Sequence, residues 1–244
     1  MKTLFTLVLA FTFSMILAQT PTAIDPEQNL RTLGNLTPLS AGAMGFDNRY
    51  QGVQGTPFLF TEFQTGTIQF TKQDTFSTPF KLNVDLIKNT LLVQMKNGSL
   101  GEVSANNLKA LQFSNLPNPP QPSNWIILSE KEVEGNNSVR EKFYGVLHNN
   151  QYRLLKSIEK TFKKASYQGA YNSGNTYDEF LTEEVYWLSA PGKPFEKIKL
   201  KRKDLEKALS AEAAKVQKIA KDNKLDLNDY YDIIQLLVLL EKGN

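Results

Sequence analysis

Carboxylates set among aromatic residues are the first groups in this sequence that could do chemistry. The segment YDEFLTEEVYW carries Asp178, Glu179, Glu183 and Glu184, with Trp187 at its end. Two carboxyls flanking a glycosidic bond, one with a raised pKa, would make a glycosidase, and an aromatic ring would stack on the sugar. The competing expectation is a solvated loop and strand start, since carboxylates are usually exposed. Spacing along the chain fixes neither a carboxyl separation nor a pKa, so the segment is a weak acidic-aromatic cluster.

The chain has one histidine, His148, in YGVLHNNQYRLL. A catalytic histidine needs an orienting partner, and no acid, cysteine or second histidine adjoins it in sequence. A type I′ turn on Asn149-Asn150 opposes His148 to Gln151, Leu147 to Tyr152 and Val146 to Arg153. His148 then sits at the corner of a hairpin, and its replacement by glutamine should change stability by no more than about 0.5 kcal/mol.

With one histidine and no cysteine, the ligand set of a zinc or iron site is missing. Carboxylates alone suit weakly held Ca²⁺ or Mg²⁺, and no cofactor is expected. The sequence contains no G-x-S-x-G, H-E-x-x-H or G-x-x-x-x-G-K-[ST]. GAYNSGN (169–175) lacks the lysine of a phosphate loop and reads as a plain loop. DNKLDLNDYYDI (222–233) has Leu227 where a calcium loop needs glycine and Ile233 where it needs glutamate.

The elements that would position these residues start after a leader. Lys2 is followed by an apolar stretch from Leu4 to Ala18, which as a helix rises about 22 Å, short of a ~30 Å hydrocarbon core. A positive start, a short apolar segment and a small residue at its end predict a secretory signal peptide over 1–18. Without a cysteine the exported chain cannot be a lipoprotein anchored through one, and no later stretch is long enough to span a membrane. Loss of 1–18 leaves 27 basic against 25 acidic residues, a charge of +2. That is too balanced for the basic footprint of a nucleic-acid binder.

Residues 19–50 show no sustained periodicity and read as a flexible arm. A β-meander follows over 51–114. In GTPFLFTEFQTGTIQF (55–70) two β-rich runs are divided by Thr65-Gly66, which predicts a strand pair. In FKLNVDLIKNTLLVQM (80–95) a turn on Lys88-Asn89 opposes Leu86 to Leu91, Val84 to Val93 and Leu82 to Met95. That puts one face in a core and leaves the other, with Lys81, Asn83, Asp85 and Gln94, wet. Asn97-Gly98 predicts a type I′ turn. Residues 115–123, with Pro117, Pro119, Pro120 and Pro122, form an extended connector.

A β-hairpin region covers 124–202, including a type II turn at Pro191-Gly192 and a wet face bearing Lys197, Lys199 and Lys201. A C-terminal pair of helices occupies 203–244. The first carries an apolar stripe of Leu205, Leu209, Ala213, Val216 and Ala220. The second, capped by Asp226 or Asn228, is apolar over much of its circumference. Wedging between sheet and helix would bury Leu237, while Leu236 and Leu239 on the flanks could form an exposed strip for a partner. The fold class expected is α+β, a β-rich body of antiparallel hairpins, sandwich- or barrel-like, with a C-terminal helical pair.

The segments NRYQGVQGTPFLF (48–60), FKLNVDL (80–86), YGVLHNNQYRLLKS (144–157) and the closing helices resemble an exported protein family of Bacteroidota-type bacteria with no assigned activity. The resemblance spans most of 48–242 and implies an envelope protein with a β-rich body and a helical tail. Its motifs are structural, so it transfers no site residues. The function expected is non-catalytic, in the periplasm or outside the cell, serving contact with an envelope protein partner. A sugar- or lipid-binding β module is the alternative, and a carboxylate-dependent hydrolase a more distant one. Intact-mass analysis of exported protein should show cleavage after Ala18 and a mature N-terminus at Gln19; retention of residues 1–18 would contradict the leader reading.

Overall fold

The computed structural model describes residues 26–39, 52–114, 116, 121–129, 132, 141–165 and 177–243. The leader with its cleavage point, GAYNSGN and most of the proline-rich connector lie outside the described residues. The strands are β1 (Thr37–Pro38), β2 (Gln64–Phe70), β3 (Phe80–Asp85), β4 (Thr90–Gln94), β5 (Leu100–Ser104), β6 (Leu108–Ser114), β7 (Asn124–Ile127), β8 (Phe143–Asn149), β9 (Arg153–Lys163), β10 (Glu179–Ser189) and β11 (Glu196–Ile198). The helices are α1 (Pro26–Leu33), α2 (Arg202–Ala208), α3 (Ala213–Asp222) and α4 (Tyr230–Lys242).

All 11 strands join one antiparallel sheet in the order β1-β5-β4-β3-β2-β6-β7-β8-β9-β10-β11. The fold is α+β with a sheet that does not close. A three-residue 3₁₀ turn joins β5 to β6, and four Cα steps reach at most about 15 Å. Four strand spacings in a flat sheet would separate these strands by about 19 Å. The sheet must therefore curl, and the concave side fills with Ile68, Phe70, Leu82, Leu91, Leu111 and Trp125, all fully buried.

The expected arm is partly ordered by this curl. Helix α1 buries Leu30 completely in the same core. Asn107 donates to the Gly34 carbonyl at 3.0 Å, and β1 pairs with β5. Leu36 lies over Gly101, where a Cβ would come within 2.5 Å of its Cδ1. One buried side chain on so short a helix leaves no periodicity to read.

Three hairpin expectations are corrected. Thr65-Gly66 lies inside the continuous strand β2, and residues 57–60 form no strand but lie across β3. Asp85 is buried as well, and Asn83 is consequently 2% exposed rather than wet. Its Nδ2 donates to the Phe60 carbonyl, and its Oδ1 accepts from the Phe60 and Val84 amides. In the β3–β4 register Val84 faces Leu91 and Leu82 faces Val93. The turn is wider than two residues because the Asp85 carboxylate accepts the Ile87 and Lys88 amides, each at 2.9 Å, with Asn89 at φ +53°. A slip of two residues preserves which side chains face inward. At Asn97-Gly98 only Gly98 has positive φ, and its amide donates to the Met95 carbonyl. That is a type I turn closed by a glycine bulge, not type I′.

The helical end forms a second core. Ile233, Leu236, Leu237 and Leu240 of α4 pack with Leu154, Leu188 and Ile198 of the sheet and with Leu205, Leu209 and Val216. α4 is thus wedged between the sheet and the helices before it. The expected single helix from Lys203 divides at Leu209 into α2 and α3, and the Ala208 carbonyl freed there accepts from the Lys193 ammonium at 3.3 Å. Asp229, not Asp226 or Asn228, caps α4 by accepting the Tyr231 amide, because Asp226 is occupied with the Asn228 amide and side chain.

Leu236, expected at an exposed flank, is 0% exposed and Leu239 is half-buried, so they form no open strip. Leu237→Ala should cost about 2–5 kcal/mol in chemical denaturation through the cavity it leaves. Leu236→Lys should unfold the protein, whereas Leu239→Lys should be tolerated; a native melting curve for Leu236→Lys would contradict the wedge.

Candidate functional site

The acidic-aromatic cluster does not converge. Side chains alternate along β10, so Glu179, Glu183 and Trp187 point to one face of the sheet and Glu184 to the other. Glu179 is 3.7 Å from the Lys163 ammonium, and Glu183 is 3.9 Å from that of Lys197. Asp178 accepts the Ala165 amide at 2.7 Å. Trp187 is buried, donates to Ser157 Oγ and packs edge-on against Tyr144. Glu179 and Glu183 share a face but stand four residues apart, about 13 Å along the strand, and each faces a lysine, which is not the closely spaced carboxyl pair of a glycosidase.

Glu184 belongs to a different group, on the helix side. The Lys156 ammonium donates to it at 2.9 Å and the Tyr186 hydroxyl at 2.7 Å. Lys156 is 4% exposed and lies over the Tyr230 ring of α4. Burial pushes the Glu184 carboxyl up, but Lys156 and Tyr186 outweigh it and hold its pKa below the usual carboxylate value. Burial and then the Glu184 charge push the Tyr186 phenol up. The pair bridges the neighbouring strands β9 and β10, with Lys156 buried and Glu184 partly open to solvent, and the contact of Lys156 with Tyr230 links it to α4.

His148 is likewise a tie, but with a partner the sequence hid. Its Nε2 lies 3.0 Å from Glu241 Oε1, at the end of α4. The same carboxylate accepts the Tyr152 amide and the Asn150 side-chain amide. The expected corner is also reshaped. His148 faces Leu154, and Asn149 faces Arg153, with a bulge after Val146. Buried Tyr152 anchors the loop in the helical core, so the turn cannot be the two-residue one. Only the approach of residue 241 makes this latch, and no local sequence signal marks it.

A less expected feature lies where β8 leaves β9. β9 and β10 pair without interruption from Arg153↔Ser189 to Lys163↔Glu179. The β8–β9 ladder stops at Gly145↔Lys156, and Glu141, just before β8, has φ +58°. A cleft of about 190 Å³ opens there, lined by Leu86, Asn89, Lys142, Phe143 and residues 157–161. Lys142 pairs with Glu159 at 3.1 Å. Lys160 donates to Thr182 Oγ1 at 2.8 Å and forms no ion pair among the described residues. Burial pulls its pKa down.

Other concavities are surface grooves. The roomiest described, about 410 Å³, lies between Ala105, Leu108, Ile127 and Leu128. Among the described residues no three His, Cys, Asp or Glu side chains gather to hold a metal, and no helix is long and apolar enough to cross a membrane. Searches against protein-family models, curated proteins and solved structures return no match.

The latch carries a pH dependence. Burial raises the Glu241 carboxyl, but the Tyr152 amide and His148 outweigh it, so its folded pKa lies below the unfolded value. A depressed carboxylate contributes stability that is complete above its unfolded pKa of about 4.3 and is lost as pH falls through the lower folded value. Glu241→Gln should cost about 1–3 kcal/mol near neutral pH, and its difference from wild type should shrink below about pH 4.3. Melts across pH check this; a difference that grows on acidification would contradict the latch.

Proposed function

We propose that this chain is an exported envelope protein that acts by binding another protein and not by catalysing a reaction. The observation carrying this reading is the distal half of the β9–β10 ribbon, which extends past both neighbouring strands and, among the described residues, keeps an unpaired edge at a cleft. Exposed edges recruit strands from other chains. Supporting it, the side chains best suited to chemistry are engaged elsewhere: Lys156 with Glu184, His148 with Glu241, and Trp187 with Ser157. Export rests on the leader composition of residues 1–18 and on the family resemblance.

The sugar- or lipid-binding alternative is weaker because the concave side of the curled sheet is filled by its own side chains. Photoreactive residues placed at Asn89 in the cleft and at exposed Tyr231 on α4 would test the interaction reading in the native envelope. One discrete crosslinked species in the wild-type background is expected. Absence of any adduct from either position, with the protein exported and folded, would contradict it.

A further inference from the structure

Resting on that interaction reading, we propose that the cleft beside β9 takes a short, extended, acidic segment of the partner, added antiparallel to β9 as a continuation of β8. Main-chain direction opens this edge to a new strand. The Phe180 amide donates outward to the Gln54 carbonyl, away from β9. Phe180 stands directly opposite Phe162, so in an antiparallel ladder this is a pair whose N–H and C=O groups point away from each other. The alternation carries back along β9 in the unbroken register. Lys160, Ile158 and Lys156 therefore present their main-chain groups on the side facing β8. Those of Lys156 meet Gly145, the last pair of that ladder. Those of Ile158 and Lys160 fall beyond it and open into the cleft.

Charge complements the main chain: Lys142 is neutralised by Glu159, whereas among the described residues the half-buried Lys160 ammonium has only the Thr182 hydroxyl within reach. A carboxylate on the incoming segment would supply the missing counter-charge. Shape and polarity fit as well: Leu86, Phe143 and Ile158 line the cleft and offer apolar contact to the side chains alternating with that carboxylate. Strand addition of this kind draws affinity from main-chain bonds and specificity from alternate side chains.

The test uses the folded protein and a labelled probe peptide, valine-glutamate-valine-glutamate-valine, followed by fluorescence anisotropy. Saturable binding is expected, weakened about tenfold or more by Lys160→Glu and by N-methylation of the peptide's central amides, which leaves its charge intact. The valine-lysine counterpart should not bind. Failure of the glutamate peptide to bind, equal binding by the lysine peptide, or full binding after N-methylation would each overturn the proposal. If the peptide fails while Tyr231 still captures a partner in the envelope, the interaction reading stands and this site is lost.

Discussion

A mismatch in strand length governs this structure. β9 and β10 pair at every position across 11 residues each, but β8 engages β9 only as far as Lys156, and β11 engages β10 only as far as Tyr186. The inner half of the ribbon is therefore covered on both faces. Leu154 and Leu188 pack under the helices, while Leu155, Val185 and Trp187 meet Tyr144 and Phe195 on the other side. Beyond those pairs the outer half has, among the described residues, no neighbouring strand, only the bridge from Gln54. An isolated two-stranded ribbon is marginal in water, and here it is supported by the Phe162–Phe180 contact, by Gln54 bonding to Asp178 and Phe180, and by the Lys160–Thr182 bond.

The same division places the polar groups. Where the ribbon is covered, each charge that is buried has a partner from another element: Lys156 holds Glu184 beneath Tyr230, and Glu241 reaches from α4 to the loop at Tyr152. Such pairs are poor sources of net stability, yet breaking one strands a charge. The Glu241 latch and the Lys156 contact with Tyr230 tie α4 to the sheet. In the outer half Lys160 keeps a half-buried charge with, among the described residues, only a hydroxyl for company. Polar groups that look alike in sequence thus serve opposite ends, one set closing the fold and the other left available.

Parts of this were legible in the sequence for physical reasons. Period-two alternation placed Leu82, Val84, Leu91 and Val93 inside, and that conclusion survived a register two residues off, because parity is insensitive to such a slip. Pro191-Gly192 set its turn locally, with Gly192 at φ +72° and the Lys193 amide on the Ala190 carbonyl. The breadth of apolar residues on α4 pointed to a wedge. The features that eluded reading are long-range. Asn83 is polar and buried because a segment 23 positions earlier in the chain folds over it. His148 finds its acid 93 residues away. Among the described residues the edge of β9 is open because β8 stops short, a relation between strands that neither strand's own sequence encodes.

Backbone direction along that edge is the point on which the account turns, and site-resolved amide hydrogen exchange reads it directly. The amides of Glu159 and Thr161 point to β10 and should be protected, whereas those of Ile158 and Lys160 should exchange about tenfold faster or more. Alternating fast and slow exchange over 158–161 is the result the account predicts. Equal protection at all four positions would mean that the edge is already paired, and would contradict it.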